Sequence, residues 1–252
     1  MKKILAKLLN GEISIEGAEG EILNEFFSVS TFASLDINRE MRSGIPEVVY
    51  AEDKSPDVFF EIVKSFMKRR DLLLATRLKE EHYTAIKNLR EDYEIEERRT
   101  ARALIIKKRG YEVKRRGGSV GVMTAGSSDI PIAEEARCAL EITGIEPITF
   151  YDVGVAGLHR IIEPLKKMRL EKVKCIIVVA GMDGALPGVI AGLVRSPVIG
   201  VPTSTGYGIG GKGLGALIGM LQSCSPGLAV VNIDAGFNAG AIASLIARGE
   251  KC

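Results

Sequence analysis

Cys224 and Asp183 are two residues of the C-terminal half whose side chains could carry out covalent and proton-transfer chemistry. A cysteine thiolate is a strong nucleophile, and a carboxylate near it can accept or orient a proton. Each residue has an ordinary alternative, because a lone cysteine is usually a small buried hydrophobe and Asp183 could cap a helix predicted over residues 184–193. Cys224 is predicted at the C-terminus of a helix, which disfavours a thiolate, so a nucleophilic role requires a carboxylate base or a cationic substrate.

The segment 125–129 (AGSSD) has residue types that suit an anion. Its glycine allows close approach of a ligand, and the hydroxyls of Ser127 and Ser128 together with free helix N–H groups can bind a phosphate. We therefore expect Ser127, Ser128 and Asp129 around a phosphate or ribose. A plain helix N-cap explains the same residues equally well.

The segment 206–213 (GYGIGGKG) is a glycine-dense loop that imitates two nucleotide-binding motifs. It departs from the P-loop because Gly213 stands where Ser or Thr should hold magnesium, and it lacks the acidic residue of a dinucleotide fingerprint. We interpret it as a flexible loop that closes over a ligand, with a plain glycine turn as the alternative. The candidate ligand contacts in and just before this loop are Thr205, Gly206, Gly208 and Lys212. Gly181, which follows the strand predicted over residues 175–180, is a further candidate.

Three further candidates carry a basic side chain. His159 precedes Arg160 and could act as an acid or base or simply begin a helix. Arg39 and Arg42 lie in a charged loop predicted over residues 32–50, where they could hold a phosphate or carboxylate by bidentate hydrogen bonds. A surface loop with ion pairs is the simpler interpretation of that segment.

Five apolar runs, each predicted to be a strand, alternate with segments of helical periodicity after residue 118. The strands are predicted over residues 119–124, 146–151, 175–180, 198–201 and 228–233. This alternation indicates an α/β fold, a flavodoxin-like doubly wound parallel sheet of five strands in the order 2-1-3-4-5. Residues just past the strand ends line the ligand crevice of such a sheet, here 125–129, 152–159, 181–188 and 202–213.

Composition separates this region, residues 117–252, from a small α+β N-terminal domain, residues 1–116. The C-terminal region holds 23 of the 28 glycines but only 11 of the 34 Lys and Arg and 11 of the 32 Asp and Glu. Before it, helices are predicted over residues 2–9, 21–27, 56–70 and 79–90, and strands over 47–50, 71–76 and 100–107.

Charge and cysteine usage exclude several classes of protein. A net charge of +2 gives no electrostatic case for nucleic acid, and the basic run 106–116 is better interpreted as a linker. The sequence shows neither a signal peptide nor an apolar run of membrane-spanning length. Four cysteines without paired spacing argue against a disulfide framework or a zinc site and favour a reducing compartment, so we expect a soluble cytoplasmic protein.

Five motifs in order resemble a known family: residues 153–160 (VGVAGLHR), 180–193 (AGMDGALPGVIAGL), 197–208 (PVIGVPTSTGYG), 219–227 (GMLQSCSPG) and 230–240 (VVNIDAGFNAG). They closely resemble the pyridinium-3,5-biscarboxylic acid mononucleotide synthases of nickel-pincer cofactor biosynthesis. That family is similar to the phosphoribosylaminoimidazole (AIR) carboxylases of purine synthesis. The resemblance covers residues 117–252, and segments of the N-terminal part are similar too.

The resemblance implies carboxylation of the pyridinium ring of nicotinic acid adenine dinucleotide, followed by cleavage of the phosphoanhydride to release AMP. Cys224 stands at the position of the family's nucleophile, and Asp183 stands where family members usually carry Glu. The positive pyridinium would favour the thiolate. Carbon dioxide or bicarbonate is the implied co-substrate, magnesium is implied near the diphosphate, and the implied assembly is a homo-octamer.

Two alternatives stay open. An AIR carboxylase or mutase carries a motif similar to AGGAAHLPG with an essential histidine, and Ala185 stands at that histidine here. A nucleotide-binding protein without turnover would bind the ligand independently of Cys224 and form no covalent adduct.

Overall fold

The computed structural model describes residues 2–26, 28–29, 34–36 and 39–249. The chain divides into two units, residues 1–95 with 106–111, and residues 96–105 with 112–252. The domain boundary after residue 116 stays a prediction.

The N-terminal region combines helices with a four-stranded sheet. Its helices are α1 (Lys2–Leu9), α2 (Ile15–Phe26), α3 (Arg39–Ser43), α4 (Pro56–Met67) and α5 (Glu80–Ala85). Its strands are β1 (Ser28–Val29), β2 (Ser34–Leu35), β3 (Val48–Tyr50), β4 (Leu72–Thr76), β5 (Tyr93–Arg98) and β6 (Ala103–Lys108). The sheet order is β3-β4-β6-β5, with β3 parallel to β4, while β1 and β2 form a separate antiparallel pair. Pro56 begins α4 after Ser55, whose hydroxyl accepts a hydrogen bond from Val58 N.

Several predictions for this region were wrong in detail. The segment predicted as a loop over 32–50 contains α3, although residues 32, 33, 37 and 38 lie outside the described residues. The helix predicted over 79–90 is broken at Ile86, which has φ −95° and ψ 6°, and a 3-10 turn over Lys87–Glu91 follows. Strand β5 was missed because its charged sequence YEIEER gives a weak strand signal.

The C-terminal unit has the predicted flavodoxin-like sheet. Its strands are β7 (Ser119–Thr124), β8 (Glu146–Phe150), β9 (Ile176–Ala180), β10 (Val198–Pro202) and β11 (Leu228–Val230). The sheet order is β8-β7-β9-β10-β11 and every pairing is parallel, which confirms the predicted order 2-1-3-4-5. The last strand is shorter than predicted, because Asn232 accepts a hydrogen bond from Ile233 N and Asp234 turns the chain with φ +54°.

Helices cover both faces of this sheet. They are α6 (Ile130–Ile142), α7 (Ile162–Leu170), α8 (Ala185–Ala191), α9 (Leu214–Leu221) and α10 (Gly236–Arg248). One core joins α6 and α10 to the sheet, and the other joins α7, α8 and α9 to the opposite face. Helices α6 and α10 pack so closely that a Cβ at Gly240 would lie 2.5 Å from the carbonyl oxygen of Ala136. Both faces of the three central strands, β7, β9 and β10, are therefore buried, as expected for a parallel sheet.

Among the described residues, no helix combines the length and apolar character needed to cross a membrane.

Candidate active site

Asp129 joins three loops at the carboxyl edge of the sheet. Its side chain is buried, its Oδ2 accepts a hydrogen bond from Gly126 N at 2.9 Å, and its Oδ1 accepts one from the hydroxyl of Thr203 at 2.7 Å. Burial raises the pKa of Asp129, while hydrogen bonds from Thr203, Gly126 and the backbone of Gly181 lower it. The carboxylate thus fixes the loops after β7, β9 and β10 relative to one another. We expected it to face a phosphate or ribose, and a direct ligand contact stays a prediction.

Ser127 and Ser128 lie beside Asp129 with exposed side chains. They occupy a 3-10 turn, Ser127–Asp129, that leads directly into α6. Because this turn leads into α6, the two exposed hydroxyls and the unpaired N–H groups at the start of a helix are of the kinds that suit an anion.

Asp183 lies on the exposed turn between β9 and α8. Its Oδ1 accepts a hydrogen bond from Ala185 N at 3.2 Å, so the helix-capping role considered for Asp183 is present in the structure. Backbone packing holds this turn tightly against α9. A Cβ at Gly184 would lie 2.5 Å from Ala216 O, and one at Gly219 would lie 2.2 Å from Asp183 O. Any proton-transfer role of Asp183 stays a prediction.

The loops after β9 and β10 touch through their backbones. Met182 N donates to Thr205 O at 3.1 Å, and a Cβ at Gly181 would lie 2.4 Å from the same oxygen. Glycine is required at Gly181 because any side chain would separate the two loops. On the other side, Ser204 N donates to Asp234 Oδ1 at 2.8 Å, a partner that sequence reasoning missed.

The glycine-dense loop projects from this base into solvent. Gly206 and Gly208 have φ values of +151° and +74°, in the region that favours glycine, and a Cβ at Gly208 would meet nothing within 4 Å. The side chains of Tyr207, Ile209 and Lys212 are all exposed. Closure of this loop over a ligand stays a prediction.

Cys224 lies beyond the C-terminus of α9. The structure corrects its predicted place at the helix end, because α9 ends at Leu221 and Gln222 caps it. The thiol is exposed and lines a groove of about 1370 Å³ on the face covered by α7, α8 and α9. The dipole of α9 weakens beyond the last turn of the helix, so its effect on this thiol is smaller than the sequence suggested.

Basic side chains also line the groove. Arg169, Lys172 and Arg195 line it, and within the part of the chain that the structure describes these three side chains have no ion pair. Sequence reasoning missed them, since they lie on two separate segments without a recognisable motif. His159 also lines the groove, within the irregular 3-10 segment Val155–Ile161. Its neighbour Arg160 instead donates to Asp152 O at 2.9 Å.

Arg39 and Arg42 lie in the N-terminal unit and both have carboxylate partners. Arg39 forms an ion pair with Glu47 at 3.4 Å, and Arg42 pairs with Asp36 through both terminal nitrogens. The pKa of Arg42 is raised, first by the hydrogen bond to Asp36. Both arginines therefore form the ion pairs that the simpler interpretation expects, and anion binding by them stays a prediction.

The described residues contain no group of three or more His, Cys, Asp or Glu side chains that could hold a metal ion. Because Mg²⁺ is usually held by one or two carboxylates together with substrate phosphates, magnesium near the diphosphate stays a prediction.

The fold and the site together define an α/β protein with a flavodoxin-like parallel sheet, serine, glycine and carboxylate residues at its carboxyl edge, and an exposed thiol. Residues 119–251 match the AIR carboxylase family, and residues 27–108 match the LarB/PurE-like N-terminal domain. The chain therefore belongs to the AIR carboxylase family, in a form that carries this N-terminal domain. Membership supports a carboxylase-like enzyme.

Relatives fall into two groups. A protein of Methanocaldococcus jannaschii described as uncharacterized is 49% identical over 98% of this chain and 97% of its own length. The N5-carboxyaminoimidazole ribonucleotide mutase of the same organism is 36% identical over 48% of this chain and 74% of its own length. The mutase of the same name from Thermotoga maritima is 33% identical over 50% of this chain and 73% of its own length.

Proposed function

We propose that this chain carboxylates the pyridinium ring of nicotinic acid adenine dinucleotide through a Cys224 adduct. It then hydrolyses the phosphoanhydride with one water molecule to release AMP and pyridinium-3,5-biscarboxylic acid mononucleotide, a precursor of a nickel-pincer cofactor. The observation that carries the proposal is the exposed thiol of Cys224 in the wall of a large groove. A carboxylation at an imidazole ring would leave that thiol without a task.

The proposed chemistry balances without an oxidant or reductant. The thiolate of Cys224 adds to the ring carbon beside the one to be carboxylated, and two ring electrons move to give a neutral dihydropyridine. This enamine attacks carbon dioxide and forms the new carbon–carbon bond. A base then removes the proton from the carboxylated carbon, and the electron pair expels the thiolate and restores the aromatic ring.

Asp183 is the proposed proton acceptor or the residue that orients it. Among the described residues its carboxylate accepts one hydrogen bond, from Ala185 N at 3.2 Å, and it is exposed, so it can turn toward a ligand. Its side chain is one methylene shorter than the Glu usual in the resembling family. We expect Asp183→Asn to lower kcat by about 10²-fold or more, the contribution typical of general base catalysis, while Asp183→Glu retains turnover. Equal kcat values for Asp183→Asn and the unchanged chain would remove this role.

The proposed anion contacts are the hydroxyls of Ser127 and Ser128, with Lys212 on the closing loop. Magnesium is the proposed companion of the diphosphate, where it would supply neutralisation of the phosphate charge during anhydride cleavage. A free thiol requires a reducing compartment, and the cytoplasm is the compartment we propose.

The purine-pathway reaction is the second candidate, because the mutases named above are 33 to 36% identical over half of the chain. Ala185 argues against this reaction. It begins α8 at the position where the mutase motif has its histidine, and alanine cannot act as an acid or base. A nucleotide-binding protein without turnover is the third.

Product analysis separates these candidates. The protein is mixed with bicarbonate, magnesium and either nicotinic acid adenine dinucleotide or aminoimidazole ribonucleotide. Carboxylated mononucleotide and AMP from the dinucleotide alone support the proposal. Carboxylation of the aminoimidazole instead supports the purine reaction, and binding without either product supports the third candidate.

A further inference from the structure

The groove between α7 and α8 carries positive charge without a balancing carboxylate. Within the described part of the chain, neither Asp nor Glu lines it, whereas Lys166, Arg169, Lys172 and Arg195 do. Lys166 is neutralised, because its ammonium nitrogen lies 2.7 Å from Glu163 Oε1. The other three cations have no ion pair among the described residues. A concave surface lined by charges of one sign concentrates the electric field, so this groove attracts an anion.

One hydrogen bond brings the two basic segments of the groove together. The hydroxyl of Ser196 donates to Val173 O at 3.1 Å. Arg195 and Lys172 directly precede these two residues, so their backbones lie close to each other. Arg169 joins them through the turn after α7, in which Lys172 N donates to Arg169 O at 3.2 Å. The three cations therefore meet at the amino edge of the sheet, just before β9 and β10.

This basic end of the groove lies within reach of the exposed thiol. A Cβ at Gly192 would lie 3.7 Å from Ser225 Oγ, so the residue after Cys224 lies close to the end of α8. Arg195 follows Gly192 by three residues, which span at most about 11 Å. The long side chain of Arg195 can therefore contact an anion whose other end lies beside the thiol.

The donors and the size of the groove suit the phosphate of a nucleotide. Two guanidinium groups and an ammonium group are the donors that phosphate oxygens accept best, since guanidinium groups bind them in pairs of hydrogen bonds. A volume of about 1370 Å³ exceeds the 300–1,000 Å³ that is typical of small-molecule sites, roughly stated, so a nucleotide has room. Leu158, Ile162 and Leu193 are each about half exposed in the same groove and offer an apolar surface to a base or ribose.

We propose that Arg169, Lys172 and Arg195 form a phosphate-binding site for a nucleotide at the amino edge of the sheet. This site is separate from the serine pair proposed above as a phosphate contact, because that pair follows β7 and lies at the carboxyl edge. The phosphate has two possible sources, a dinucleotide whose ring reaches the thiol or a free nucleoside monophosphate. The inference goes beyond the proposed function, since binding requires no turnover.

Calorimetric titration of the full chain without bicarbonate tests this site. The probes are AMP, nicotinic acid adenine dinucleotide and adenosine. The unchanged chain should bind at least one of the two phosphate-containing probes, and adenosine should bind much more weakly. Lys172→Gln and Arg195→Gln should each weaken that binding by about 10-fold, because each removes a charge-assisted hydrogen bond. Higher salt should also weaken it.

The matched control is Lys174→Gln. It removes the same charge from an exposed lysine two residues beyond Lys172 and outside the groove lining, so the affinity should stay unchanged. Thermal unfolding of each variant should match the unchanged chain, since all three side chains are exposed. No binding of either phosphate-containing probe, or equal affinities for Lys172→Gln, Arg195→Gln and Lys174→Gln, overturns the proposal.

The two phosphate-containing probes also distinguish the source of the phosphate. If only the dinucleotide loses affinity in Arg195→Gln, the site holds the phosphates of the substrate. If only AMP loses affinity, the site binds a free nucleotide. Failure of the proposed reaction is recognised separately, because a chain that forms no carboxylated product can still show binding that depends on Arg195.

Discussion

Thr203→Val removes one hydroxyl that holds the buried carboxylate of Asp129. The Thr203 side chain is 1% exposed and donates to Asp129 Oδ1 at 2.7 Å, and valine has nearly the same shape. The substitution therefore deletes a hydrogen bond to an ionised group without creating a cavity. It also loosens the junction between the loops after β7 and β10.

A hydrogen bond to a charged group contributes about 1.5–3 kcal/mol to the free energy of unfolding. For a protein of this size each kcal/mol lowers Tm by about 2–4 °C, so we expect Tm to fall by about 3–12 °C. Thr203→Ser keeps the hydroxyl, so its Tm should fall much less than that of Thr203→Val. The matched control is Thr76→Val, since the buried hydroxyl of Thr76 has no hydrogen-bond partner among the described residues and its removal should cost nothing.

The loss of stability caused by Thr203→Val should also depend on pH. Burial raises the pKa of Asp129 above its unfolded value, so its contribution to stability is fully present below the unfolded pKa and is lost as pH rises through the folded pKa. Removing the Thr203 hydroxyl raises the folded pKa further, which enlarges that loss. The difference between Thr203→Val and the unchanged chain should therefore be larger at about pH 7.5 than at about pH 4.5. Thermal unfolding at both pH values measures it, and equal Tm values for Thr203→Val and Thr76→Val at neutral pH would refute the reasoning.

Two more outcomes follow from the packing and the thiols. Gly219→Ala places a Cβ 2.2 Å from Asp183 O, so it should lower the free energy of unfolding by about 1–3 kcal/mol and remove most of the turnover. Gly192→Ala is the control, because its nearest atom is at 3.5 Å and neither stability nor turnover should change. Similar unfolding curves for the two variants would contradict this expectation. Burial raises the pKa values of Cys138 and Cys175 to about 12, so iodoacetamide at about pH 8 should modify Cys224 and leave both buried thiols intact. Mass mapping of the alkylated peptides checks this, and labelling of Cys138 in the folded protein would be inconsistent with its burial.

The sequence predicted the C-terminal sheet well because its strands are strongly apolar and evenly spaced by helices. Strand β7 begins and ends at the predicted residues, and the order of all five strands is the predicted one. Strand β5 was not predicted, because its sequence YEIEER contains too many charged residues to form an apolar run. Local pattern therefore identified the elements that bury both faces and missed one that does not.

The site was predicted less completely. Sequence placed Ser127, Asp129, Asp183 and the glycine-dense loop at one edge, and the structure confirms that position in the fold. It could not show that Asp129 turns inward to Thr203, because that hydrogen bond joins residues 74 positions apart. The position of Cys224 relative to this edge also depends on the packing of α9 against Gly184 and of Ser223 against Gly188, which no local pattern encodes.

The most direct test of the proposed chemistry is intact mass and product analysis with ¹³C-labelled bicarbonate. The unchanged chain, incubated with nicotinic acid adenine dinucleotide and magnesium, should release AMP and a mononucleotide that carries one ¹³C on the ring carboxyl. An adduct of the dinucleotide should map to Cys224, and Cys224→Ala should give neither adduct nor labelled product. Labelled product from Cys224→Ala at the unchanged rate would contradict the central role of this thiol.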